Sequence, residues 1–155
     1  MAQITIIGLG NPLLKDDGIG IRVVQELLRE GLPSGVAAVE AARSLYLYWD
    51  LIARSKLVIV VDALKGGGPP GTLYLLPPAA IAGDDEAGVF RHGDDLKSFL
   101  DLMASFGEQP HVRIVGVEPE DLSYSLDLSP VLAGKLPDIL RAVRALILEH
   151  RTGAG

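Results

Sequence analysis

Leu57-Val58-Ile59-Val60-Val61 is an unbroken apolar run, rich in β-branched side chains and closed by Asp62. A strand with one wet face alternates apolar and polar residues; a run apolar on both faces needs cover on both. That requirement predicts a parallel sheet with helices above and below it. The rest of the chain has the same alternation. Strand-like runs occupy about 3–8, 36–42, 57–62, 71–76 and 111–117. Helical periodicity fills the gaps at about 17–31, 44–54, 93–106 and 130–150. In the first, Ile19, Val23, Val24, Leu27 and Leu28 share one face before Gly31 and Pro33 stop it. The expected fold class is α/β: a three-layer α/β/α sandwich around a mostly parallel five-stranded sheet. Ala63 to Pro70 is too short for a helical crossover, so the fourth strand should be an antiparallel edge. One domain over 1–150 is expected, with a surface loop from Pro77 to Gly88 and a frayed tail at 151–155.

A chain of 155 residues with net charge −6 can bury roughly two thirds of its unfolded surface as a single domain. No basic run exceeds two residues, which argues against a nucleic-acid or anionic-membrane surface. The chain has no cysteine, so thiol nucleophiles, disulfides and thiolate metal sites are excluded, and any metal must rest on Asp, Glu, His, carbonyls or water. A strand begins at once, with no leader pattern, and no apolar run reaches the length of a membrane span. The expectation is a cytoplasmic monomer.

After the first strand comes Gly8-Leu-Gly-Asn-Pro-Leu-Leu-Lys-Asp-Asp-Gly-Ile-Gly20. The Gly-x-Gly fails as a dinucleotide fingerprint, because Leu13 stands at the third glycine position and the turn is acidic. Asp16 and Asp17 can be explained as helix capping, but one carboxylate suffices for that. Asp62 ends the third strand. If strands one and three are neighbours, Asp62 and Asp17 emerge at the same sheet edge, where open α/β sheets bind ligands. His92, in Arg91-His92-Gly93-Asp94, is the histidine placed to reach that crevice, since His111 and His150 read as surface. Two carboxylates and an imidazole suit nickel, zinc or a related divalent ion. No Gly-x-Ser-x-Gly and no His-Glu-x-x-His is present.

Gly8-x-Gly-Asn-x-Leu-x-x-Asp-Asp-Gly-x-Gly20 resembles the opening signature of the [NiFe]-hydrogenase maturation endopeptidases. Val60-Val-Asp-Ala63, the His92 region, Val115-Gly-Val-Glu-Pro119 and Leu128-Ser-Pro-Val131 fall in register with that family. The resemblance implies an endopeptidase that removes a C-terminal extension from a nickel-loaded hydrogenase large-subunit precursor. It implies that Asp17, Asp62 and His92 contact the nickel, which arrives with the substrate and which zinc or cadmium could replace in a crystal. Asp16, as helix cap, and Asn11 would support them.

One segment departs from the family pattern. An Asp-Gly-Gly-Thr-like stretch, associated with substrate recognition, is Glu40-Ala41-Ala42-Arg43 here. Glycine permits a positive φ and close backbone approach where alanine does so only at a cost. The departure motivates a second reading, a module that binds the precursor and reads its nickel without cutting. Peptidyl-tRNA hydrolases resemble the chain in Gly8-Leu-Gly-Asn-Pro12, but need a His-Asn pair where Asp16-Asp17 stands.

Overall fold

The computed structural model describes residues 3–42, 44–81 and 96–153. Its sheet contains β1 (Ile4–Leu9), β2 (Val36–Ala42), β3 (Leu57–Ala63), β4 (Leu73–Leu76) and β5 (Val112–Val117), in the order β2-β1-β3-β5-β4. β2, β1, β3 and β5 run parallel and β4 is the antiparallel edge, as the short connection after β3 requires.

Strand alternation sorts the core into two layers. Ile4, Ile6, Leu57, Ile59, Val61, Val115 and Val117 pack with α1 (Ile19–Glu30) and α4 (Pro130–Arg151). Ile7, Leu9, Val58, Val60 and Ile114 pack with α2 (Trp49–Arg54) and α3 (Leu96–Ser105). β3 is buried along its whole length because it feeds both layers. Among the described residues no helix is long and apolar enough to cross a membrane.

Three helix boundaries differ from the periodicity. The segment expected to open α1 at residue 17 is a 3₁₀ turn, Lys15–Gly18, and the α-helix starts at Ile19. The helix expected over 44–54 splits into a 3₁₀ turn, Tyr46–Tyr48, and the short α2. No side-chain cap supports either piece, and aromatic packing fixes the geometry instead: Tyr46 and Trp49 meet Phe99 edge-on at 5.2 and 5.5 Å. Pro77 opens a 3₁₀ turn at Pro78–Ala80 that buries Ile81; the remainder of that expected loop, and the start of the helix expected from residue 93, lie outside the described residues. At the other end α4 keeps Arg151 helical, later than the expected tail boundary.

Candidate active site

The site is built where β1 and β3 end side by side. Their register runs from Ile4 opposite Leu57 to Gly8 opposite Val61, which brings Asp62 level with Leu9. The expected adjacency of the first and third strands is therefore present. Along β3, Asp62 is in phase with Val58 and Val60, so it faces the α2/α3 layer, and only 2% of it is exposed.

Asp17 reaches the same edge through a tight turn. Gly10 has φ +112°, and a Cβ on it would stand 1.9 Å from the Asp17 carbonyl oxygen. Only glycine lets the chain fold back this closely. Gly20 does the equivalent work at the start of α1, where a Cβ would meet the Val61 carbonyl oxygen at 2.2 Å. The turn thus packs against β3. Asn11 donates its backbone N–H to Asp17 Oδ2 at 2.8 Å, and its own Oδ1 accepts from Leu13 N at 2.9 Å. Asn11 orients Asp17 through the main chain. Asp17 is half-buried.

Asp16 does not cap α1. The cap position is Gly18, with no side-chain cap bond. Asp16 is fully buried and turns the other way. Its Oδ2 accepts from Glu120 N, Asp121 N and Ser129 Oγ at 2.9, 3.0 and 2.8 Å, and its Oδ1 from Ser129 N at 2.8 Å. Ser129 is itself the N-cap of α4. The Asp16 carboxylate therefore ties the site turn to the segment after β5. A buried charge is tolerable when its lone pairs are filled in this way.

Glu118 is a second such anchor, one to which the sequence motifs assign no role. Its Oε1 accepts from Gly66 N, Gly68 N and the Tyr74 hydroxyl at 2.8, 3.1 and 2.7 Å, which cinches the loop that follows Asp62. Burial raises the Tyr74 hydroxyl pKa above its ordinary value, and the bond to Glu118 adds to the shift. The signal available in the sequence was an acid immediately after an apolar strand-like run.

The remaining expected residues divide. Glu40 is exposed and in phase with Val36 and Ala38, on the α1 side of the sheet; its Oε1 accepts from Gln25 Nε2 at 3.0 Å. It lies on the opposite face from Asp62. His92 and Arg43 lie outside the described residues. Among the described residues no group of three His, Cys, Asp or Glu side chains is placed to hold a metal.

The segment that departs from the expected glycines keeps a glycine-like backbone. β2 bulges opposite Gly8 and Leu9, Leu9 pairs with Ala42, and Ala42 adopts φ +47°. The left-handed conformation costs an alanine about 1–2 kcal/mol. It directs the Ala42 carbonyl to accept from Gly10 N at 3.1 Å, which braces the turn from β2.

The comparisons with known proteins agree with this architecture. A family model described as hydrogenase maturation protease matches residues 21–146, which includes Asp62 and His92 and begins just past Asp17. The hydrogenase 2 maturation protease of Escherichia coli K12 is 29% identical over 150 residues, covering 95% of this chain and 92% of its own. The hydrogenase expression/formation protein HoxM of Azotobacter vinelandii is 32% identical over 160 residues, covering 96% and 73%. The solved structure of the E. coli hydrogenase maturating endopeptidase HybD superposes with a TM-score of 0.83 at 28% identity, covering 97% of this chain and 94% of that one. With its five-stranded sheet, its acidic turn after β1 and Asp62 at the neighbouring strand end, the chain belongs to the hydrogenase maturation protease family.

Proposed function

We propose that this protein removes the C-terminal extension of a hydrogenase large-subunit precursor and uses nickel already bound in that precursor to recognise it. The observation that supports this most is the pair of carboxylates at adjacent strand ends. Asp62 is fixed by a fully buried strand, and Asp17 is held half-buried by a turn that only glycine permits. Each is attached to rigid backbone, which suits groups that must meet a metal in one geometry. His92 supplies the imidazole of the set. Two carboxylates and one imidazole without a thiolate make a weak resident site, which suits an ion delivered by the substrate and partly coordinated there. The nickel orients the scissile peptide against the enzyme and polarises its carbonyl or an attacking water. The acids and the imidazole position the ion.

Mass spectrometry of precursor incubated with the protein tests this. Loss of the extension from nickel-loaded precursor, with nickel-free precursor left intact, is the expected result. A complex that forms while both precursors keep their full mass would assign the chain as a nickel-reading binding module. Cleavage of both alike would remove nickel from recognition.

A further inference from the structure

The segment from Glu120 to Ser129 combines two properties that oppose each other in a free protein. It carries large apolar side chains in water: Tyr124 is 87% exposed, Leu126 73%, and Leu13 beside them 54%. It is also held firmly. Asp16 accepts four hydrogen bonds from its two ends. Ser125 bridges to the site turn, donating its N–H to the Leu13 carbonyl at 2.9 Å and accepting from Lys15 N at 3.0 Å. That parallel bridge sets Leu13 and Tyr124 at the same level. Within the loop, Ser123 N donates to Asp121 Oδ1 and Asp127 N to Ser125 Oγ. The intramolecular bonds are spent on backbone, and the apolar groups are left outside.

We propose that this face, Leu13 with Leu122, Tyr124 and Leu126, is where the folded body of the precursor docks before its extension enters the site; the inference rests on the function proposed above. A pre-ordered loop lowers the entropic cost of binding, and an exposed tyrosine in a rigid frame is a common binding anchor. The charge around the face specifies the partner. Glu120 and Asp127 are exposed beside it, while Asp121 is taken up by Lys15 at 3.3 Å. The complementary surface is apolar with lysine or arginine at its rim. Continuity with the candidate site is direct: Asp16 grips this loop and is bonded in sequence to Asp17. Docking and the acid that meets the metal therefore share one hydrogen-bonded unit.

The test uses the full-length protein, the nickel-loaded precursor and the double variant Tyr124→Ser/Leu126→Ser. Both side chains are exposed, so the fold is retained, which circular dichroism and the melting temperature verify. The expected result is a KM raised about tenfold with kcat unchanged, and an equal rise in the Kd of precursor bound to an Asp17→Asn background. Charge reversal at Glu120 and Asp127 adds to the rise and weakens its salt dependence. If the wild type cuts and the double variant has the same KM and Kd, docking on this face is overturned while the protease reading stands. If the wild type does not cut, the protease reading fails. Kd then decides the face alone: a rise in the variant supports it, and an unchanged value or no binding overturns it. A wild-type dimer that the double variant dissociates, with precursor affinity unchanged, assigns the face to a second copy and also overturns the proposal.

Discussion

The loops after β1 and β3 solve the same problem with opposite wiring. Each carries one acid of the candidate site, and each is secured by a buried carboxylate that is not part of it. After β1 the anchoring acid, Asp16, is the immediate neighbour of Asp17, and its four donors come from over 100 residues away in sequence. After β3 the anchoring acid, Glu118, is itself distant, and its donors Gly66, Gly68 and Tyr74 lie beyond Asp62. Asp62 is already fixed by β3, whereas Asp17 depends on the turn that Asp16 helps to hold. Losing Asp16 should therefore damage stability and site together, and losing Glu118 should loosen a loop while Asp62 stays in place.

The largest effect is expected from Asp16→Ala. It strands the buried donors of Ser129 and the part-buried amides of Glu120 and Asp121, which predicts a loss of about 3 kcal/mol in chemical denaturation. Precursor cleavage should fall even where the variant remains folded. Glu118→Gln keeps an acceptor for the same donors but removes its charge. A loss of about 1–2 kcal/mol is expected, with kcat nearly intact. Equal damage to cleavage from the two variants would break the asymmetry.

Ala42→Gly probes the brace that β2 gives the β1 turn. Relief of the left-handed alanine is worth about 1–2 kcal/mol and added unfolded-state freedom takes back about 0.4–1. A net gain of about 0.5–1 kcal/mol in thermal or denaturant unfolding is the expected balance. The smallest effect concerns pH. Tyr74 has a folded-state pKa raised by burial and then by its bond to Glu118. The stability it contributes is present below the ordinary tyrosine pKa and is lost as pH rises through the folded one. Tyr74→Phe should flatten the alkaline limb of the stability profile above pH about 10, measured by melting temperature against pH.

What could be read in the sequence was local. Leu57 to Val61 declared a strand covered on both faces, and Ala63 to Pro70 was too short for a crossover, so the layered sheet and its antiparallel edge followed, while the full strand order came only from the structure. Asp62's place at the sheet edge was legible because a buried strand delivers its last residues to the edge where open α/β sheets bind ligands. The division of labour between Asp16 and Asp17 was only half legible. Adjacent aspartates before a helix look alike, and the capping expected of Asp16 gave way to partners that no local pattern announces. Glu118 was hidden for the same reason: two of its three donors are backbone amides. The continuous helix expected over 44–54 was broken by tertiary packing, where aromatic contacts with Phe99 of α3 outweighed helical spacing and left a 3₁₀ turn at Tyr46–Tyr48.

The central claim is that Asp17, Asp62 and His92 act on one nickel ion brought by the precursor. Single-turnover cleavage of nickel-loaded precursor by Asp17→Asn, Asp62→Asn and His92→Ala tests it most directly. Loss of a merely supporting partner costs a metal site about 10–100-fold, so each of these variants should lose at least that much in rate while its melting temperature stays near the wild type. Wild-type rates in all three would contradict the account.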